Sequence, residues 1–172
     1  VNLVMDGLGA IMLGNEPALE KYMKERPRRR DESIVSKKMM TQIGIMGLWL
    51  TILSFAFLKM RIFDVFFAND NEKLTAYFVL FIVSALFNGF NVRDDGFGIF
   101  KGLNKNPGFL KVFFSIIFVQ FLIVNAVIVP VGICQLIGNM FSCVPFGVTG
   151  WGVAIAMAAT MIPIDLIRKV LT

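Results

Sequence analysis

One carboxylate interrupts the apolar stretch that opens the chain, VNLVMDGLGAIMLG. Asp6 lies four residues after Asn2 and directly before Gly7. Because residues four apart project from one face of a helix, an amide oxygen and a carboxylate would share that face. Both are hard oxygen donors of the kind that Ca²⁺ and Mg²⁺ prefer. Gly7 and Gly9 would let the helix loosen and add backbone carbonyl oxygens to the same site.

An aspartate in an apolar helix needs a physical reason. A charge inside a membrane-spanning helix costs at least about 2.5–3.5 kcal/mol, so it persists where it faces an ion or a partner group. The pattern predicts a cation site on Asn2 and Asp6, and this is the reading we favour. The structural alternative is a helix-end aspartate near the membrane interface that caps the helix or pairs with a neighbour.

The composition indicates a membrane protein. Of the 172 residues, 56% are hydrophobic, and three long runs carry no Asp, Glu, Lys or Arg: residues 39–58, 74–92 and 112–164. Because about 20 apolar residues cross the hydrocarbon core as a helix, we predict an all-α, polytopic transmembrane bundle. The net charge of +5 is not accompanied by alternating basic and aromatic residues. Nucleic acid is therefore not an expected partner, and the lipid bilayer is.

The chain divides into five apolar segments and the polar stretches between them. The first segment, 1–15, is too short to cross a membrane at about 1.5 Å per helical residue. Because the sequence also lacks an initiator methionine, we expect a truncated helix and a chain that is the C-terminal piece of a longer protein. Residues 59–73 read as a short charged loop, and Asp165, Arg168 and Lys169 as the end of the last span. The predicted spans are 1–15 (truncated), 39–58, 74–92, 112–131 and 151–168.

The basic residues predict the orientation. If the spans alternate, fourteen Lys and Arg residues lie on one side of the membrane and three on the other. The more basic side is normally cytoplasmic. We therefore expect the loop 16–38 and the C-terminus to face the cytoplasm.

Two asparagines, Asn88 and Asn91, are the weaker candidates for an ion site. They would share one side of their helix and could contact an ion from its outer shell. Hydrogen bonds between helices are the alternative that we favour. The same structural explanation applies to Ser84, Gln120 and Asn125.

Other polar groups have structural explanations. Asp165 and Arg168 are spaced as a structural ion pair. Cys134 and Cys143 could form a disulfide, although two free thiols are the reading that we favour. Because the sequence contains no histidine, zinc and haem sites are not expected.

Several segments together resemble P-type calcium-transporting ATPases. VNLVMDGLGAIMLGNEPALEKYMKERPRR resembles the sixth transmembrane helix and following loop of these pumps, and LFNGFNVR resembles the eighth helix of the plasma-membrane type. KNPGFLKVFF is similar to the start of their ninth helix, and FSCV, with Trp151 soon after, to their last outer loop and tenth helix. The likeness covers essentially the whole chain as helices six to ten.

The resemblance implies specific roles for the residues of the first helix. Asn2 and Asp6 match calcium ligands of the family, whereas Met5 and Ala85 stand where two-ion pumps carry a threonine and a glutamate. It therefore implies one Ca²⁺ per cycle, in a pump of the plasma membrane, with manganese left open as an alternative cargo. No catalytic residue is expected here, because the Asp-Lys-Thr-Gly phosphorylation motif is not in the sequence. ATP and Mg²⁺ would act in cytoplasmic domains outside this chain.

The expected partners follow from the same likeness. The chain should pack against helices one to five and the cytoplasmic domains of its own pump. The KERPRRR loop could bind anionic lipid or dock a cytoplasmic domain. We expect no calmodulin-binding tail, since only LIRKVLT follows Asp165. A secondary cation exchanger with a broken ion-binding helix is the alternative function, and a scaffold that does not transport is a weaker third one.

Overall fold

The computed structural model describes residues 2–14, 35–93, 96–100, 103, 106–125 and 140–171, with the side chains of 2–6 and 8 outside the description. Within these residues the regular elements are helices and none is a strand, so the predicted all-α class is confirmed. The α-helices are α1 (Asn2–Gly14), α2 (Lys37–Lys59), α3 (Asp70–Arg93), α4 (Pro107–Asn125), α5 (Val148–Ala159) and α6 (Met161–Leu171).

Local chemistry determines where these helices begin. Ser36 caps α2, because its hydroxyl accepts a hydrogen bond from Met39 N at 3.2 Å. Asn106 Oδ1 accepts from Phe109 N at 2.9 Å at the start of α4, where Pro107 supplies the preset backbone angle of a first helical residue. The helices α2 and α3 extend over the apolar runs 39–58 and 74–92. The predicted fourth span continues beyond Asn125 into residues outside the description.

The last apolar segment differs from a single uninterrupted helix. One helix ends at Ala159 and the next begins at Met161, with Thr160 between them. Pro163 has no amide hydrogen to donate to the carbonyl of Ala159, so the break falls one turn before the proline. Taken as one segment, Val148–Leu171 is still long and apolar enough to cross a membrane, as are α2, α3 and α4.

Helix α3 lies at the centre of the bundle. About 61% of its apolar window is buried, against 17% for α2 and 28% for α4, and it contacts each of the other five α-helices. Its two sides pack into separate apolar clusters. Val79, Leu80 and Val83 meet α2 and α5, whereas Ile82, Leu86 and Phe90 meet α1 and α4.

An aromatic cluster closes the end of the bundle at which α2 finishes. Phe57 is fully buried there, with Phe63 stacked on it at 5.3 Å between ring centroids and Phe67 edge-on at 5.8 Å. Trp151 stacks on Phe146 at 5.2 Å. Gly150 permits this packing, because a Cβ at that position would lie 2.7–2.8 Å from the rings of Phe67 and Phe146.

The segment between α2 and α3 is more ordered than the charged loop that its composition predicted. Residues Arg61–Phe66 form a 3₁₀ helix. Lys73 holds it in place, since its Nζ bonds both to Asp64 and to the carbonyl oxygen of Leu58 at 3.1 Å. Short apolar stretches broken by charges have no clear helical period, so the sequence of residues 59–73 indicated a loop.

A candidate cation site on the first helix

Helix α1 carries the two main candidate ligands. Asn2 and Asp6 lie one helical turn apart on its backbone, so their positions share a face, as the spacing predicts. The helix is continuous through Gly7 and Gly9 in this structure, and the loosening that these glycines would permit remains a prediction. Because glycine only permits a helix to open, a ligand or a neighbouring group has to compete for its backbone. A Cβ on either glycine would meet nothing within 4 Å among the described atoms.

The face of α1 that continues from Asn2 and Asp6 borders a cleft. Gly9 and Leu13 follow in the same helical register, seven and eleven positions after Asn2. Both line a cleft of about 330 Å³ between α1, α3 and α4. Ala85 and Asn88 of α3 line it from the opposite side. The helix face with the candidate ligands therefore leads into the space between α1 and the central helix.

Close packing holds α1 against α3 beside this cleft. Met12 is buried, and its Cε would lie 2.6 Å from a Cβ placed on Gly89. Glycine at position 89 thus lets the two helices approach, which is the usual role of a small residue between membrane helices. This contact holds α1 close to α3 at the level of Met12 and Gly89.

Ala85 brings no ligand atom to the cleft. Its methyl group is exposed there, at the position where the resemblance places a glutamate in two-ion pumps. A longer side chain with a carboxylate would have room at this position. Position 85 therefore borders the cleft, but the alanine side chain has no oxygen atom that could bind an ion.

The two asparagines of α3 have different environments. Asn91 is almost fully buried, and its Nδ2 donates to the carbonyl oxygen of Met161 on α6 at 2.9 Å. It also lies 3.4 Å from Asn88 Oδ1. Asn91 thus makes the hydrogen bond between helices that we favoured for it. Asn88 is half-buried and lines the cleft, so an outer-shell role remains a prediction for Asn88.

The remaining polar residues do not follow the predicted pattern. Asn125 Nδ2 donates to the carbonyl oxygen of Phe121 in its own helix at 2.8 Å, not to a neighbouring helix. Among the described residues, the buried Oγ of Ser84 and Nε2 of Gln120 have no hydrogen-bond partner. For the Nδ2 group of Asn125, the described contacts give a hydrogen bond within its own turn in place of the expected bond between helices.

Asp165 is at the centre of a buried ion cluster on α6. Its Oδ1 accepts from Arg168 Nε at 2.8 Å, and its Oδ2 lies 3.0 Å from Lys169 Nζ. The three side chains are at most 2% exposed. Lys169 Nζ also donates to the carbonyl oxygen of Asn91 at 3.1 Å, two residues before α3 ends. Carbonyls in the last turn of a helix lack partners and carry partial negative charge, so this bond helps to neutralise the second cation.

The ion cluster lies at the predicted end of the last span, and that boundary remains a prediction. Helix α6 continues to Leu171 with the three charges buried against the bundle, while its apolar side chains Ile167, Val170 and Leu171 are 55–78% exposed. The pairing of the three charges lets them lie inside the apolar bundle. The predicted structural pair of Asp165 and Arg168 is present.

A hydrogen bond connects α2 to Thr160, the residue between α5 and α6. Trp49 Nε1 donates to Thr160 Oγ1 at 3.0 Å, and Thr160 Oγ1 donates in turn to the carbonyl oxygen of Met157 at 2.6 Å. The sequence did not predict the hydrogen bond from Trp49 to Thr160 or the one from Lys169 to Asn91. Both join residues far apart in the chain, and nothing in local spacing signals such a pairing.

The described side chains do not by themselves make a metal site. Across the described part of the chain, no three His, Cys, Asp or Glu side chains gather around a common point. Cys143 is a buried free thiol, and burial raises its pKa above the ordinary value; Cys134 falls outside the description.

The described helices include four segments long and apolar enough to cross a membrane, and comparisons with known proteins identify the family. Residues 1–171 match the family described as "Cation transporting ATPase, C-terminus", and the chain belongs to that family. The resemblance noted from the motifs is thereby confirmed.

Several calcium-transporting ATPases are similar to the chain along most of its length. It is 30% identical to "Plasma membrane calcium-transporting ATPase 2" of Oreochromis mossambicus, over 88% of this chain and 14% of that protein. It is 27% identical to "Calcium-transporting ATPase 12, plasma membrane-type" of Arabidopsis thaliana, over 98% of this chain and 15% of that protein. A human relative, "Plasma membrane calcium-transporting ATPase 3", is 28% identical over 88% and 12%. The chain spans about one seventh of the length of these relatives.

Proposed function

We propose that this chain is the C-terminal membrane part of an ATP-driven calcium pump, and that Asn2 and Asp6 supply ligands of one Ca²⁺ site. The observation that carries the proposal is that Asp6 is the only charged residue in α1 and that its helix face continues into the cleft beside α3. An acid without a basic residue on its own helix needs a counter-charge from elsewhere. A transported cation would supply one, and the names of the similar proteins support calcium as the cargo.

The transport step requires that the affinity for calcium change between two states. Asp6 and Asn2 would hold the ion while the site is open to the cytoplasm and release it after helix movements open the other side. A cycle of this kind works only if the two states bind calcium differently. The contact of Met12 with Gly89 couples α1 to the central helix and so limits how α1 can move.

One calcium ion per cycle is the stoichiometry that the cleft favours. Ala85 borders the cleft without a ligand atom, and Met5 offers only a thioether, a poor ligand for a hard ion. The retained ligands are those of a single site. Manganese is the alternative cargo, because it also accepts carboxylate and amide oxygens.

Helices α2 to α6 would serve as a scaffold in a multi-pass pump of the plasma membrane, with the basic loop and the C-terminus in the cytoplasm. The central position of α3 and the ion cluster of α6 support this role. Hydrolysis of ATP with Mg²⁺ would take place in cytoplasmic domains of the same pump. Movement of α1 on ion binding would be transmitted to those domains.

The experiment uses the full-length pump with Asp6→Asn and, as a matched control, Asp64→Asn, the same change at a half-exposed ion pair outside α1. Loss of the α1 carboxylate should abolish calcium-dependent phosphorylation by ATP. Phosphorylation by inorganic phosphate should persist, because that reaction needs an ion-free site. The control should retain both reactions. Calcium-dependent phosphorylation of Asp6→Asn with wild-type affinity would contradict the proposal.

A second measurement concerns the stoichiometry. Calcium bound at saturation, divided by the amount of pump that ATP can phosphorylate, should give a ratio near one. A ratio near two would show that other residues provide a second site despite Met5 and Ala85.

A further inference from the structure

The 3₁₀ helix Arg61–Phe66 exposes an apolar edge directly after a membrane-spanning candidate ends. Met60, Ile62, Val65 and Phe66 are 51%, 63%, 85% and 40% exposed. Residues three apart superpose along a 3₁₀ helix, so Ile62 and Val65 form one continuous ridge. Exposure of such an apolar ridge to water is unfavourable, because apolar surface is more stable when it is removed from water.

The opposite side of the same helix is firmly attached to the bundle. Phe63 stacks on the buried Phe57, and Asp64 pairs with Lys73. Lys73 also binds the carbonyl oxygen of Leu58 at the end of α2. Because these contacts fix the inner side, the helix cannot turn its apolar ridge towards the core. The exposure of Val65 is therefore built into the fold.

Two exposed cations lie beside the ridge. Lys59 ends α2, and Arg61 begins the 3₁₀ helix. Basic side chains at the end of an apolar span extend towards lipid phosphates, and amphipathic helices with apolar side chains on one face lie within the membrane interface. The apolar ridge and the flanking cations thus match the acyl chains and the phosphates of one leaflet.

We propose that the 3₁₀ helix Arg61–Phe66 is an interfacial lipid anchor. Val65 and Ile62 insert among the acyl chains at the end of α2, and Lys59 and Arg61 contact phospholipid phosphates. The anchor sets the depth of α2 in the bilayer and holds the aromatic cluster behind Phe63 away from water. This proposal does not rest on calcium as the cargo, so it can fail or hold independently of the proposed function.

The test uses the full-length pump in lipid nanodiscs with a spin label at Val65→Cys, after replacement of other reactive cysteines and with ATPase activity checked. Power-saturation EPR compares accessibility to oxygen and to a nickel chelate, calibrated with lipids labelled at known depths. Oxygen should relax the label at Val65 more strongly than the nickel chelate does, at a depth just below the phosphates. A label at Asn69→Cys, on the exposed polar turn before α3, should show the reverse.

Two results would overturn the anchor. A label at Val65 that is accessible mainly to the nickel chelate lies in water. A label that neither reagent reaches is covered by protein. The cations are tested by Lys59→Gln with Arg61→Gln, which should move the label at Val65 towards the nickel chelate; an unchanged depth would contradict the contact with phosphates.

Discussion

Asp6 and Asp165 both lie in apolar helices, and the charges that accompany them on those helices differ. Asp165 carries its counter-charges on its own helix, three and four residues further on, and shares one of them with the end of α3. Asp6 is the single charged residue of α1. The carboxylate of Asp165 is neutralised by two cations of its own helix. The counter-charge of Asp6 has to come from a group outside α1.

The contrast is between an acid with counter-charges on its own helix and an acid without them. A buried ion cluster stabilises one arrangement of helices, and removing one member is costly because the others remain charged. An acid in an apolar helix needs a counter-charge from some other group or from an ion. The proposed function assigns that counter-charge for Asp6 to a transported cation and gives α6 a structural role.

The largest effect should follow removal of the scaffold acid. Asp165→Leu removes the carboxylate that Arg168 and Lys169 share inside the bundle, which should lower the free energy of unfolding by about 3–5 kcal/mol. Thermal unfolding of the full-length pump should show a much lower midpoint. The matched control replaces all three charges with apolar residues and should recover most of the loss. Equal instability of the triple variant would show that α6 is not held by charge pairing.

The aromatic end of the bundle should respond to a single methyl group. Gly150→Ala places a Cβ 2.7–2.8 Å from two aromatic rings and should cost about 1–3 kcal/mol of stability. Gly152→Ala, on the same helix, meets nothing within 4 Å and serves as the control. If both variants unfold at the same temperature, the close packing of Gly150 against Phe67 and Phe146 does not contribute measurably to stability.

A smaller effect is expected at the bond between α3 and α6. Asn91→Leu removes the hydrogen bond to Met161, and bonds of this kind between membrane helices contribute about 0.6–1.7 kcal/mol. Asn125→Leu, which removes a bond within one helix, is the comparison. If the midpoint of thermal unfolding falls no further for Asn91→Leu than for Asn125→Leu, the hydrogen bond between α3 and α6 contributes little to stability.

The smallest effect concerns thiol reactivity. Burial raises the pKa of Cys143, so the reactive thiolate is scarcer at neutral pH than for an exposed cysteine. Labelling of the folded pump by a maleimide should be slow at Cys143 and should accelerate as the pH rises or on unfolding. Rapid labelling of Cys143 at neutral pH would contradict its burial.

Much of the fold could be predicted from the sequence, because uncharged runs such as 39–58 and 74–92 leave a helix as the main way to satisfy the backbone in lipid. The break at Thr160 was missed, although Pro163 signals it. The burial of Lys169 was missed because its partner Asn91 lies 78 residues away in the chain. For the candidate site, spacing placed Asn2 and Asp6 on one face, but only the structure shows that Ala85 borders the cleft beside that face.

The central claim is that Asp6 is neutralised by a transported calcium ion. Equilibrium binding of radioactive calcium to the full-length pump, with and without Asp6→Asn, tests it most directly. Wild-type pump and Asp64→Asn should bind one calcium ion per phosphorylatable molecule. Asp6→Asn should bind none at concentrations that saturate the wild type, while still accepting inorganic phosphate. Calcium binding by Asp6→Asn with unchanged affinity and stoichiometry would contradict the account.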